Sequence, residues 1–558
     1  MTRFPALTVI TWILAIIASP CHAFEFEFPW FDIPVSFRIS LNSFFEYHDD
    51  NFNGFEDDDK YFDLKNRLSL KLNAKRFSFS GRFDTNTFFN PPAPNRPQYN
   101  SYYIDRYAPE KLTAKYIGRD LKVTFGDFYA TIGRGLALSI RKTDQLGEDN
   151  TLLGGRISWN KDWLQLSVLS GLTNPSNLDL YEKTYPDPYD WISAISARFE
   201  AADRLWIGTH AVAILFDPFD RNEKAKQPKL VPSYTSIIGA SVESSGIADV
   251  LDLYFEANWL GRQHRTTQNQ SFDLQNGWGA YGSAILYLGN WTLTAEGKSL
   301  NDFYAYTVTW EQGGKYKSQR IDYLLPPTLE PKTMEVANNW DISGARLQID
   351  YRPGALDTLL FASYSGFWAE DFNDAGQRWI YNLNTGIEHD FWDTGRAKLT
   401  VGLREEVPQY SNSNTYHLLY SNLEIKLPLS QRHSLDIHGT TWFVRESLSG
   451  YPLDFAKGEC ILGYSWSPWL AASIVMGWDT FPSRGKEHYD FGVFYSQGPG
   501  EPLERQLFLA GTVTFDLWGE YQLRLTGGQM RGGVLCVNGV CRTLPPFAGA
   551  RAELRLRF

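Results

Sequence analysis

The chain has 558 residues, a net charge of −11, 21% charged side chains and 15% aromatic ones. That charged share is too high for a bundle of membrane helices, and past the N-terminus no apolar run reaches the roughly 18 residues that a membrane helix needs. No block of Lys or Arg stands out, so no nucleic-acid partner is expected, and four cysteines leave room for few disulfides.

Residues 1–23 read as a Sec signal peptide, with Arg3 in the n-region, an apolar stretch from Leu7 to Ala18, and Cys21-His22-Ala23 ending on a small residue. Cys21 raises lipoprotein processing as an alternative, which Pro20 suits badly. Residues 24–558 are then expected to form one domain, since no linker or low-complexity tract divides them. The first strand is expected near Val35, which leaves no room for an N-terminal plug domain.

From there the chain alternates with a period of two. The pattern appears in Phe37-Arg38-Ile39-Ser40-Leu41 and Leu68-Ser69-Leu70-Lys71-Leu72. It recurs in Leu399–Arg404, Leu423–Leu427 and Tyr521–Leu525. In the last strand Ala550, Ala552, Leu554, Leu556 and Phe558 share one face, and Arg551, Glu553, Arg555 and Arg557 share the other. Connections alternate in length. Lys75-Arg76, Arg119-Asp120, Lys161-Asp162, Gly289-Asn290 and Asp393–Arg396 are short; Asp49–Lys60, Asn90–Tyr103, Thr173–Asp190, Asp217–Ser233, Gln263–Asn276 and Thr309–Ser343 are long. This predicts an all-β fold, a transmembrane antiparallel β-barrel of about 24 strands (range about 20 to 26) in the outer membrane of a diderm bacterium. Membrane lipids and lipopolysaccharide are the expected surroundings. The barrel-assembly machinery, which reads a terminal aromatic such as Phe558, is an expected partner. Trp159, Trp163, Trp191, Trp291, Tyr464, Trp466 and Trp469 suit interfacial girdles.

A Lys or Arg at the bilayer midplane on a barrel's lipid face costs about 2–4 kcal/mol. The charged faces are therefore expected to line the lumen, with Arg551, Glu553, Arg555, Arg557, Arg524, Lys398 and Arg404 among them. Cys536-Val537-Asn538-Gly539-Val540-Cys541 reads as a type I′ hairpin that sets the two cysteines opposite each other, within disulfide reach. Cys460 reads as a small hydrophobe on the apolar face of its strand. Asp49, Asn51, Asn53 and Asp57 form a weak calcium candidate, because Lys60 stands where an EF-hand needs Glu; otherwise this is a solvated acidic loop. No other metal site and no cofactor is expected.

Gly126–Asn150 is unusual for its glycines at 126, 133 and 135. It reads either as a long external hairpin or as a segment folded into the lumen, with Arg134, Arg141 and Lys142 at a constriction. No Gly-x-Ser-x-Gly, His-Glu-x-x-His or Cys-x-x-Cys-His motif occurs, so an enzyme is not expected.

Two stretches carry a resemblance. Gly126–Tyr129, Gly133–Gly135 and Asp149–Gly155, together with Gln529–Cys536 continuing to Cys541-Arg542 and Pro545, resemble a family of outer-membrane barrels of unknown function, best populated in Bacteroidota. The resemblance implies a barrel and no established activity. The expected function is a porin-like channel or substrate-specific transporter for a small or medium polar solute, narrowed by inward loops. The alternative is a scaffold that anchors a secretion, adhesion or electron-transfer complex, and a membrane hydrolase stands third.

Overall fold

A computed structural model describes residues 24–28, 33–50, 59–91, 103, 105–143, 148–174, 190–216, 232–265, 272–305, 309–312, 315–318, 323–329, 340–354, 357–370, 377–391, 394–408, 415–448, 451–480, 488–490, 493–495, 507–517, 520–537, 540–544 and 547–558. Residues 1–23, with the expected signal peptide, lie outside them.

Twenty-four antiparallel strands close into one barrel. The first half comprises β1 (Ile33–Asp50), β2 (Tyr61–Ala74), β3 (Phe77–Phe89), β4 (Arg106–Ile117), β5 (Leu121–Phe128), β6 (Thr151–Lys161), β7 (Leu164–Asn174), β8 (Trp191–Ala202), β9 (Leu205–Leu215), β10 (Pro232–Ile247), β11 (Leu251–Arg265) and β12 (Phe272–Leu288). The second half comprises β13 (Trp291–Asn301), β14 (Ile342–Tyr351), β15 (Thr358–Glu370), β16 (Gln377–Phe391), β17 (Gly395–Pro408), β18 (Thr415–Pro428), β19 (His433–Leu448), β20 (Tyr451–Trp466), β21 (Leu470–Asp479), β22 (Leu507–Leu517), β23 (Tyr521–Met530) and β24 (Phe547–Arg557). Every strand pairs with its sequence neighbours, and β24 pairs with β1 to close the ring. A further short strand, Phe24–Phe28, folds back onto Ile33–Phe37 ahead of the expected first strand.

The alternation explains why this sheet closes in a membrane. In β22, Leu507, Leu509, Phe515 and Leu517 are exposed, whereas Phe508, Ala510 and Thr514 between them are buried. A closed barrel pairs every backbone N–H and C=O with a neighbouring strand, so an apolar outer face can meet hydrocarbon with no unpaired edge. The chain is therefore an outer-membrane barrel. At its rims Trp163, Trp291, Trp466 and Trp469 are exposed toward the short-turn end, and Trp191, Trp259, Trp278 and Trp368 toward the long-loop end.

The last strand finds the first by backbone and side chain together. Ile39 N–H donates to Phe558 O at 3.0 Å and Phe558 N–H donates to Ile39 O at 2.8 Å. The Phe558 ring lies 5.7 Å from that of Tyr521. Arg551 pairs across the seam with Glu46 at 2.5 Å.

One loop is shorter than its sequence suggests. β11 and β12 run on through most of Gln263–Asn276 and leave only 266–271 between them, because Gln263 still finds a ladder partner in Leu274. Near the C-terminus, Gly533–Val537 pairs with Val540–Leu544 and sets Cys536 opposite Cys541. The Asn538-Gly539 turn and both cysteine side chains lie outside the described residues. A disulfide between them is expected: without reductant, alkylation of the native barrel should leave both unlabelled. Labelling of both would refute it.

Candidate functional site

Part of the lumen is filled by the chain itself. Residues 129–143 leave β5 and turn inward, and residues 148–150 lead into the start of β6. Asp127 ties exit to return: its carboxylate accepts from Leu112 N–H at 2.7 Å, from Thr151 Oγ1 at 3.0 Å and from Asn174 Nδ2 at 2.8 Å. Gly126 has φ +93°, and a Cβ there would overlap the Leu112 carbonyl. Only glycine suits this position, which is where the backbone must begin to leave the wall.

Inside, Ala130–Ile132 pairs with Leu138–Ile140 as a small hairpin. Gly135 at its tip (φ +93°) lies so close to the Leu325 carbonyl that a side chain would overlap it. Leu325 belongs to 323–329, a second inward stretch that docks along the first. Leu325 N–H donates to Gly135 O and Ser139 N–H donates to Tyr323 O, each at 2.8 Å. The Tyr323 hydroxyl donates to Asp190 at 2.5 Å.

Leu136, Ala137, Leu138 and Ile140 are wholly buried. They lie in one apolar cluster with wall residues that include Leu169, Ile192, Ile214, Ile237, Phe367 and Ile380. Burying a Leu or Ile side chain contributes about 1.5–3 kcal/mol, so these few residues hold the segment by several kcal/mol. Of the two readings open to Gly126–Asn150, the described residues 130–140 take the inward one. The expectation of a charge-lined lumen needs correction on this side, because from β6 to β16 much of the inner wall is apolar where the segment packs.

Polar anchors hold both ends. At the tip, buried Glu256 accepts from the Arg134 backbone N–H and from Asn258 Nδ2, both at 2.9 Å, and from the Tyr254 hydroxyl. His210 Nε2 lies 2.6 Å from Asn258 Oδ1. The Arg134 guanidinium stacks 3.9 Å from the Tyr254 ring centre and 5.9 Å from that of Tyr281. At the return, Asp149 pairs with Lys111 and Arg82 and accepts from the Tyr129 hydroxyl at 2.6 Å. Burial alone would raise the Asp149 carboxyl, but Lys111, Tyr129 and Arg82 hold it down at about 2.

The residues expected at a constriction do not form one cluster. Arg134 sits against β11 and β12, whereas Lys142 pairs its backbone with Asp149, which is held by Lys111 of β4 and Arg82 of β3. Arg141 is half-buried beside it. The seven charged residues expected on the lumen face lie on the inner side. Arg524 and Arg555 flank Glu553 at 3.3 and 3.4 Å. Arg557 lines an inner cavity. Arg404 lies 2.6 Å from Glu406, which stands opposite the inward Ile380 in the ladder. Lys398 lies 3.8 Å from Glu388. Cysteine in place of Arg555 is expected to react with a membrane-impermeant thiol reagent in liposomes, and cysteine in place of the outer-face Leu525 is not. The opposite preference would mean that the faces are reversed.

Of the calcium candidate, Asn51, Asn53 and Asp57 lie outside the described residues, and Asp49 accepts from the Tyr47 hydroxyl at 3.1 Å. Beside it Glu46, His48 and Asp63 approach one another closely enough to hold a cation. The Lys65 ammonium already lies 3.3 Å from Glu46 and 2.7 Å from Asp63. With Arg551 on Glu46 as well, the group is an ion-pair network at the seam.

Between the segment and the short-turn end is a cavity of about 980 Å³. Phe128 and Tyr129 bound it where the segment leaves the wall. Its wall carries eight cationic side chains and two acidic ones, Asp127 and Glu520. No local pattern in the sequence marks this feature, because each strand contributes only one or two of the cations.

No curated protein matches the chain in sequence. Among solved structures, it is similar to the siderophore receptor PirA from Pseudomonas aeruginosa at 11% identity, over 94% of this chain and 80% of that one, with a TM-score of 0.46. It is similar to OccK5 (OpdH) from Pseudomonas aeruginosa at 11% identity, over 68% of this chain and 94% of that one, with a TM-score of 0.37. A BenF-like porin from Pseudomonas fluorescens Pf-5 matches at 11% identity, over 71% of this chain and 99% of that one, with a TM-score of 0.36. The profile of a family of unknown function matches residues 8–329, a span that includes Gly126–Gly155 but not the Cys536–Cys541 hairpin. It covers more than half of the sequence, and the chain belongs to this family of unknown function, DUF6029.

Proposed function

We propose that this barrel is an outer-membrane channel for a small or medium polar solute, closed at rest by its own inward segments. The observation that carries this reading is the packing of 130–140 and 323–329 inside the barrel. A ring of 24 strands encloses a lumen that its wall side chains do not fill. Something must occupy it, and here two loops do, anchored by polar contacts at Glu256 and Asp149 that can exchange for water or solute. The scaffold reading draws on the same apolar packing: Leu136, Leu138 and Ile140 are wholly buried inside the barrel.

Conductance separates the two. Deleting Thr131–Lys142 is expected to raise single-channel conductance in planar bilayers several-fold over the intact barrel. Correct insertion of both forms, with no conductance in either, would refute the channel and favour the scaffold.

A further inference from the structure

We propose that the cavity between the inward segment and the short-turn end is a binding site for a small, multiply charged oxyanion, such as a phosphate ester or a polycarboxylate. Its position in the lumen gives it a transport role only if the channel reading holds; binding itself does not depend on that reading.

Charge is the first argument. The whole chain is acidic, with a net charge of −11, yet this wall carries eight cations against two acids. Among the described residues neither acid forms an ion pair with these cations. Asp127 is committed to Leu112, Thr151 and Asn174, and Glu520 lies at the rim, in the turn between β22 and β23. Each strand from β24 round to β6 supplies at least one cation: Arg557, Arg38, Lys71, Arg82, then Lys111 with Lys115, and finally Lys122 and Arg156.

Register is the second argument. Arg38 stands directly opposite Lys71 on the ladder between β1 and β2. Arg557 stands opposite Ser40, one inward position from Arg38. Lys115 and Arg156 both stand opposite Thr124 from the two neighbouring strands, and Lys122 is the next inward position on the Thr124 strand. Like charges directly across a ladder are destabilising. Other inner-face cations meet acids: Arg551 meets Glu46 and Arg524 meets Glu553. Here, among the described residues, Arg38, Lys71, Lys115, Lys122 and Arg557 have no ion-pair partner. A wall that bears this repulsion is complementary to an anion that several side chains share. Enclosed walls of one sign focus the field and raise the local concentration of such a solute. The cavity volume lies at the upper end of the range for small-molecule sites, which fits a solute larger than inorganic phosphate.

The site also connects with the segment. Lys111 and Arg82 line the cavity and hold Asp149. An anion in the cavity competes with the Asp149 carboxylate for those two cations, and so loosens the return end of the segment from the wall.

Isothermal titration of the full barrel in a neutral detergent tests this, with pyrophosphate and citrate as probes and sucrose as the uncharged control. Saturable binding of both anions is expected, weakening as salt rises, with none for sucrose. Combining Lys71→Gln, Lys115→Gln and Lys122→Gln should weaken binding at least tenfold; Lys398→Gln, outside the cavity, should leave it unchanged. Asp149→Asn should tighten binding severalfold by removing the internal competitor. Heat-modifiable gel migration checks that each variant is folded, and the salt dependence of the unaltered barrel stands if the triple variant is not. No binding, or binding indifferent to salt and to the triple substitution, overturns the site; an unchanged affinity in Asp149→Asn overturns the competition. Binding without conductance in any form counts against the channel alone, and conductance without binding counts against the site alone.

Discussion

Valine in place of Gly135 is expected to expel the inward segment and raise conductance toward that of the Thr131–Lys142 deletion. Two effects act together. The residue has φ +93°, a backbone region that a β-branched side chain adopts only at about 1–3 kcal/mol. Its Cβ would also overlap the Leu325 carbonyl, which is backbone and cannot rotate away. Any shift that relieves the overlap pulls apart the bonds between Leu325 and Gly135 and between Ser139 and Tyr323. The barrel wall is untouched, because every strand keeps both neighbours. The variant should therefore insert normally, conduct more than the parent, and become sensitive to protease between Tyr129 and Asn150. Gly135→Ala should show the same changes to a smaller degree. A valine variant that inserts, conducts like the parent and resists protease would mean that the overlap is absorbed without moving the segment.

The barrel was legible because its two causes are both local. Side-chain alternation marks each strand, and the cost of placing Arg551, Arg555 and Arg524 in hydrocarbon fixes which face points inward. Connection lengths added the up-and-down order. The filled lumen was half legible. Gly126 and Gly135 stood out as residues, but a glycine pattern does not say which side of the wall a loop takes. A second signal lies in the strands themselves. In β8, Trp191 and Ile195 face outward while Ile192 and Ala194 face inward, and in β9 Val212 and Ile214 face inward as well. A strand that is apolar on both faces in a wide barrel implies something dry on the inner side, and here that is Leu136, Leu138 and Ile140. The polar anchors had no such signal. Glu256 meets Arg134 across 122 residues of sequence, and a contact of that range leaves no trace in any local period. The basic cavity was hidden for the same reason, since its cations are spread over neighbouring strands and gather only when the ring closes.

Alanine in place of Glu256 is expected to free the tip of the segment, and the size of the effect follows from what the carboxylate holds. Glu256 is fully buried and serves three donors: the Arg134 N–H, the Asn258 amide and the Tyr254 hydroxyl. A buried donor left without an acceptor costs about 1–3 kcal/mol. Water entering the vacated space recovers part of this, so a net loss of about 3 kcal/mol in the opening free energy of the tip is a reasonable magnitude, or roughly a hundredfold in its open population. Local opening governs amide exchange, so hydrogen–deuterium exchange over 130–140 should quicken by about that factor, while β17 to β24 on the far wall exchange as before. Glu256→Gln keeps one carbonyl oxygen for the Arg134 N–H but sets an NH2 group toward a donor, so its effect should fall between parent and alanine. Unchanged protection of 130–140 in Glu256→Ala would mean that apolar burial alone fixes the segment and that the Glu256 anchor contributes nothing to its hold.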